Sequence, residues 1–472
     1  MFFDGTVELT STDHEDAHFV SEVMAAAMRR IGQLAFVQVV TDTCSVMQAA
    51  WRNLRTHFPW LTTTCCGTHV LALELKDLAK IPAVAAVIAK VQVVLSLFWG
   101  RKRWPRRRLR ETIAANHGGK EFGLYRAKQT RFAGKFREMS RMLRCKADLQ
   151  QVVVSSDYAK QKFTQRGTSA DGDDQLDPAI GTKVKAIVLD EDGFWRPMTE
   201  ILYIAMPLIK LLRLLDGNKP AIGKIYDRMF TIGQRLQQMS NTISWAPAMS
   251  KIHSERWEYL HSPFHAAAYA LDPEFLATVG ELDEACQDGV LLVIERMCLR
   301  DVIALAPDVD HAILTITSDS PQVVQRVAQA EGEFAKYQRR EGPFSRPAVL
   351  LNAKKMEPAA WWSTYGRHLP LLATIASRVL AQPGAASWAE RNWSIYGQIK
   401  SANKSRMQHR TADKLVYCHE TLYLQNKLQS AGWQPDVVAH ETDEESASEA
   451  SDEEKDLTDE IFSPDTLALL MQ

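Results

Sequence analysis

Ala35-Phe36-Val37-Gln38-Val39-Val40-Thr41-Asp42 is the stretch that decides how the first part of this chain folds. A short, nearly continuous apolar run of this kind has the length and composition of a buried strand, ended here by Thr41-Asp42. On its N-terminal side, His18 to Leu34 carries Phe19, Val23, Ala26, Met28 and Ile31 at helical spacing. On its C-terminal side, Cys44 to His57 reads as a helix that Phe58-Pro59 stops. The segment therefore alternates strand, helix, strand, helix, which favours a parallel or mixed sheet flanked by helices.

Further along, helices dominate. Ile81 to Trp99 is apolar enough to suggest a membrane span, but Lys90 and Gln92 interrupt it, so a buried helix is expected. Trp99 to Arg110 is a sharp break, and Thr168 to Asp177 is a loop rich in Asp and Gly. Pro307 to Thr317 has the β-branched content of a short strand. Asp319 to Arg340 reads as an amphipathic helix capped by Asp319 or Ser320, with Pro321 in its first turn. Helices are also expected over Pro358 to Tyr365, Leu369 to Leu380, and Ser387 to about Leu428.

Apolar residues make up 46% of the 472 and charged residues 24%, enough to bury a sizeable core. Seven cysteines, odd in number and irregular in spacing, suit reduced thiols in the cytosol or nucleus. Met1 to Gly5 lacks the basic start and apolar run of a secretory signal. The net charge of -1 hides an asymmetry. Residues 441–472 hold twelve of the 57 acids and one of the 56 bases, leaving 45 acidic and 55 basic residues in 1–440. A basic body with an acidic tail suits a protein that meets nucleic acid. The tail itself, 431–472, is low-complexity acid and serine and is expected to be disordered.

Three separated blocks stand out. The first is Val39-Val40-Thr41-Asp42-Thr43-Cys44-Ser45, followed by Pro59, Cys66-Gly67-Thr68-His69, Leu71, Leu73, Lys76 and Asp77. The second is Thr130-Arg131-Phe132. The third runs from Trp361-Trp362 through Gly366, Pro370, Leu372, Ala373, Val379 and Leu380 into Ser387-Trp388-Ala389-Glu390-Arg391-Asn392-Trp393-Ser394, and Arg406, Leu415, Val416 and Tyr417 continue it. Together they resemble the hAT transposase family, the second block its Thr-Arg-Trp segment and the third its C-terminal dimerisation motif. The resemblance implies an α/β, mostly helical chain: an RNase H-like fold interrupted by a large all-α insertion. Residues 1–100 would begin the RNase H-like domain, 101–320 would be the insertion, and 321–430 would close the domain and carry the dimerisation region.

The family cuts and joins DNA with two divalent cations, Mg²⁺ in the active enzyme, held by two aspartates and a glutamate. Two cations about 4 Å apart stabilise both the attacking and the leaving oxygen of the displacement. By resemblance Asp42 matches the second aspartate and Glu390 the glutamate. Each also has a structural reading. Asp42 could cap the helix that follows it, and Ser387 with Glu390 has the spacing of a capping box. The family's first aspartate precedes the strand that Met1-Phe2-Phe3 resembles, and Asp4 fits the following strand better. Two carboxylates in place of three imply weak or no catalysis, and the metal assignment of Asp42 and Glu390 is correspondingly slight.

Cys66 and His69 lack a second ligand pair for zinc. The family uses them to position its active site, and a buried Cys-His pair is the alternative. The run Arg101, Lys102, Arg103, Arg106, Arg107, Arg108 and Arg110, interleaved with Trp104, offers phosphate contacts or a nuclear-import signal, or is a solvated loop. Arg131 and Phe132 would lie by flanking DNA, or Phe132 in a core. Trp361, Trp362, Trp388, Arg391 and Trp393 are the expected dimer anchors, against plain core packing. No BED-type Cys/His finger is present, so any DNA binding is expected to be non-specific.

Taken together, the sequence predicts a transposase-derived, DNA-binding, homodimerising nuclear protein with no membrane association, its catalysis incomplete. An active cut-and-paste transposase with an upstream segment is the second reading. A non-enzymatic protein-interaction module is the third.

Overall fold

The strand expected at 35–40 forms at Gln38–Thr41, and a turn of 3-10 helix, Gln33–Ala35, takes the residues before it. It pairs in parallel with Thr62–Cys65, Gln38 opposite Thr62 and Thr41 opposite Cys65. Three consecutive β-branched threonines and a cysteine, all buried, favour this second strand. Parallel strands need a crossover, and helix Ser45–His57 supplies it, ending at Phe58. The computed structural model describes residues 16–42, 44–99, 103–119, 122–127, 133–161, 163, 165–168, 174–177, 179–217, 220–400 and 407–429. Among them the chain is mostly helical, with 21 α-helices, this parallel strand pair and one antiparallel pair.

The described residues divide between two compact units. One takes those within Met1–Val70, Leu211–Phe230 and Trp257–Val438; the other takes those within Leu71–Lys210 and Thr231–Arg256.

In the first unit, helix Ala17–Ile31 and the strand pair close over Met28, Leu54, Phe58 and Trp60, with Leu299 and Ile303 of helix Glu284–Ala304 packed in the same cluster. The Trp60 indole donates to the Phe36 carbonyl at 3.0 Å, so the buried ring keeps its N–H satisfied. A second, aromatic part of the core stacks Phe344 on Trp361 at 5.4 Å between centroids and sets Tyr337 against Trp362 at 4.8 Å.

In the second unit, helix Pro82–Phe98 buries Val84, Val91, Val94 and Leu95. The two polar residues that interrupted its apolar run have partners. Lys90 Nζ donates to Asp190 Oδ2 at 3.2 Å and to the Gly193 carbonyl at 2.7 Å, and Gln92 donates to Glu138 at 2.6 Å. Among the described residues no single helix is long and apolar enough to cross a membrane.

Four local expectations are corrected. Residues 307–317 form a helix, Val309–Thr315, because the Asp308 carboxylate accepts from His311 N at 3.0 Å and caps it, outweighing the β-branched composition. Of the stretch 168–177, Thr168 and Asp174–Asp177 belong to an antiparallel strand pair, Gln165–Thr168 against Asp174–Asp177, and 169–173 lie outside the described residues. The break after Trp99 closes at Arg103, where helix Arg103–Asn116 begins with Pro105 in its first turn, a position proline tolerates. The long helix from Ser387 is two, Ser387–Ile399 and His409–Gln429. Helices Pro321–Gln338, Pro358–Tyr365 and Pro370–Leu380 lie as expected. Ser320 caps the first of them by position alone, its hydroxyl accepting from Thr317 N at 3.0 Å instead. The acidic tail expected at 431–472 lies outside the described residues.

Candidate functional site

Because the two strands run parallel, both end at one edge, where open parallel sheets bind their ligands. Asp42 follows the first strand and Cys66 the second, and Cys66 N donates to the Thr41 carbonyl at 2.8 Å. The segment 384–387 joins them there. Gly67 N donates to the Gly384 carbonyl at 3.0 Å, Ala386 N donates to Cys66 Sγ at 3.2 Å, and the Thr68 and Ser387 hydroxyls meet at 3.2 Å. Helix Ser387–Ile399, which carries Glu390 in its first turn, thus starts at the edge that Asp42 leaves.

Asp42 is exposed, and its carboxylate has no hydrogen bond or ion pair among the described residues. Its capping reading is corrected: Cys44 occupies the cap position of helix Ser45–His57, with no side-chain bond. The capping-box reading of Ser387 fails for a similar reason. Ala386 is the cap, and Ser387 is already helical, with its hydroxyl on Thr68. The side chains of Trp388 and Glu390 lie outside the described residues.

A two-metal centre needs clustered oxygen ligands to compensate its charge. Among the described residues no group of three or more His, Cys, Asp or Glu is placed to hold a metal ion. The described donors do not fit such a centre.

Cys66 is 1% exposed, and its thiol lies 3.0 Å from the Thr68 hydroxyl. The Cys65 thiol donates to the Tyr259 carbonyl at 3.2 Å; burial, with Cys66 beside it, pushes its pKa up to about 11, so it is held as an unreactive thiol. His69 is half-buried in the first turn of helix Gly67–Leu78, without a hydrogen bond among the described residues. Cys66 is therefore a packing and hydrogen-bonding residue of the edge. Thr68 and Gly384, which the sequence reading left without a role, are what tie the edge together. The Pro383-Gly384 dipeptide, a turn signal, was the available clue.

The described part of the basic run, from Arg103, is a helical face. Arg103, Arg107 and Arg110 are exposed at i, i+4 and i+7 of helix Arg103–Asn116, while Pro105, Leu109 and Ile113 are buried. Arg106 lies over the Trp99 ring at 4.4 Å, and Trp104 packs against Tyr158 and Phe163. Arg107 and Arg108 share Glu111 at 3.3 and 3.5 Å, and Arg108 also reaches Asp157 at 4.0 Å. Arg101, Lys102, Arg131 and Phe132 lie outside the described residues.

Among the expected dimer anchors, Trp361 and Trp362 are fully buried, their indoles donating to the carbonyls of Val349 at 3.2 Å and Leu271 at 2.8 Å. They are core residues, which corrects their assignment as anchors. Arg391 bonds the Asp216 carbonyl, neutralising the end of helix Arg196–Asp216. Trp393, by contrast, is 62% exposed. It lies on the outside of a helix pair whose inner side is closed by Tyr396, Ala412 and Val416. Leu415, Tyr417 and Leu422 on the second helix are exposed as well.

Comparison with known families matches residues 334–422 to the hAT family C-terminal dimerisation region and residues 1–94 to a domain of unknown function, DUF659. Comparison with curated proteins gives no match.

Proposed function

Because the chain is an hAT-family transposase-like protein, we propose that it is a transposase-derived protein that homodimerises through its C-terminal helices and binds DNA. In this reading the parallel strand pair belongs to an RNase H-like fold, begun by residues 1–100, interrupted by the helices of 101–320 and closed by 321–430. The two family matches, near either end with a helical stretch between them, support that division. DNA is met non-specifically through the arginine face of helix Arg103–Asn116, in the nucleus. In the same reading, catalysis by this chain is weak or absent.

One observation carries the dimer. Within the matched region, Trp393, Leu415, Tyr417 and Leu422 stand exposed on a helix pair whose own small core is already filled. Leu415 and Leu422, seven residues apart on one helix, share a face, and exposed apolar groups of this kind mark interaction surfaces.

Sedimentation velocity of the full chain tests it. The wild type sediments as a dimer at micromolar concentration. Leu415→Glu with Leu422→Glu gives a monomer with unchanged helical content, and Trp393→Ala weakens the dimer at least about tenfold, a loss of about 1.4 kcal/mol or more. A wild type that stays monomeric at tens of micromolar refutes the reading.

A further inference from the structure

Asp301, near the end of helix Glu284–Ala304, is met by three guanidinium groups from three helices. Arg300 Nη1 of the same helix donates to it at 2.9 Å, Arg326 Nη2 of helix Pro321–Gln338 at 3.0 Å, and Arg378 Nη1 of helix Pro370–Leu380 at 2.5 Å. Arg300 spends its remaining reach on the Leu34 carbonyl.

Three positive charges therefore face one carboxylate, and among the described residues no other carboxylate reaches an ion pair with them. Glu333, on the helix of Arg326, is occupied elsewhere, accepting from Gln329 at 3.1 Å and from Leu372 N at 2.8 Å. The Arg326 Nε–H is buried without a partner among the described residues.

Burial and the like charge of Arg378 hold the Arg300 guanidinium below its usual range. Three guanidinium groups on one paired carboxylate, with Glu331 and Glu333 the other acids near enough to act on the adjoining Cys298, favour an anion that completes the cluster. The Arg326 and Arg378 side chains, 33% and 32% exposed, leave it an approach from solvent. Guanidinium forks match the oxygens of a phosphate in a way lysines do not.

We propose that Arg326 and Arg378, braced by Arg300 on Asp301, form a binding site for a phosphate group. The site extends the DNA-binding reading, on which it rests only for the source of the phosphate: a DNA backbone or free phosphate.

Two titrations of the full chain separate the site from that reading. In the first, thermal unfolding is followed with inorganic phosphate against chloride at equal ionic strength, since a ligand of the folded state raises the midpoint saturably. In the second, a short DNA duplex is titrated by fluorescence anisotropy. The wild type shows a saturable phosphate effect, which Arg378→Gln and Arg326→Gln each weaken about tenfold. Arg378→Lys keeps the charge and the fold but loses the fork, so it too binds phosphate more weakly than the wild type. A duplex bound about tenfold less tightly by Arg326→Gln and Arg378→Gln identifies the DNA backbone as the source. If the wild type binds no duplex while its phosphate effect still depends on Arg378, the site stands with free phosphate as its ligand and the DNA reading falls. A phosphate effect equal in the wild type and all three variants overturns the site, whatever the duplex does.

Discussion

A β-carbon at residue 67 would lie 2.7 Å from Leu215 Cδ1 and 2.8 Å from the Gly384 carbonyl oxygen, so the strand edge is built around the absence of a side chain there. At Gly384 the added carbon would press on the side-chain ends of Leu215 and Ile225, at 2.8 and 2.9 Å, with the Ile222 Cα at an ordinary contact distance of 3.7 Å. Side-chain ends can yield where a backbone oxygen cannot. Gly67→Ala is accordingly expected to cost about 2 kcal/mol, read as a lower urea midpoint at unchanged slope, and Gly384→Ala to cost less. The reverse order would show that the edge does not rest on this approach. His265 makes a second prediction. It is fully buried, with Nδ1 on the Ser262 hydroxyl at 2.8 Å, and burial with His261 nearby lowers its pKa from 6.5 to about 3. Between those values the unfolded chain binds the proton and the folded chain does not, so stability falls as pH drops from about 6.5 towards 3. Denaturant midpoints at pH 7.5 and 5 should show that loss, and His265→Gln should flatten it; an equal slope in the variant would remove His265 as the cause. Single residues were the hardest scale to read from sequence. The motif pointed to Trp361, Trp362 and Trp393 alike, and only packing separates two core rings from one at the surface, because a tryptophan suits both places.

At the scale of elements, helix Arg103–Asn116 shows how a run of like charge becomes a surface. Seven bases in ten residues read as a break, but periodicity puts Pro105, Leu109 and Ile113 inward and Arg103, Arg107 and Arg110 outward. If that face binds DNA phosphates, replacing Arg103, Arg107 and Arg110 with Gln removes up to three contacts. The slope of log affinity against log salt then flattens by about 2 to 3, and all duplex sequences weaken alike. An unchanged slope would take DNA off this helix. The elements that were legible had strong local signals: a proline at the start of Pro321–Gln338, Pro358–Tyr365 and Pro370–Leu380, and Phe58-Pro59 ending Ser45–His57. The missed ones had competing signals. Val309–Thr315 has strand composition but an aspartate cap, and Thr62–Cys65 is too short to show a period. The strand edge was half legible: Asp42, Cys66 and Glu390 stood out by motif, whereas the contacts of Gly384 and Ser387 with 67 and 68 span more than 300 positions of chain, which no local pattern carries.

For the molecule as a whole, the proposed dimer face and the strand edge rest on different residues, so they should separate experimentally. The dimer face, Trp393 with Leu415 and Leu422, draws on the outer sides of the last two helices. The edge draws on Asp42, on the Cys66 to Thr68 turn and on the start of the helix that bears Glu390. Two divalent ions repel unless several carboxylates share them, and among the described residues no group of three or more ligands stands beside the exposed Asp42. On the proposed non-catalytic reading, the full chain with Mg²⁺ leaves supercoiled plasmid intact, and Asp42→Asn and Glu390→Gln sediment as the wild-type dimer does. The stability of Asp42→Asn should also stay within about 0.5 kcal/mol of wild type, the range of surface substitutions away from special features. Metal-dependent nicking by the wild type that Asp42→Asn abolishes would restore a working catalytic edge and displace the non-catalytic reading. Nicking that survives both substitutions would point to a contaminant. A dimer lost in either variant would show instead that the edge and the C-terminal face act as one structure.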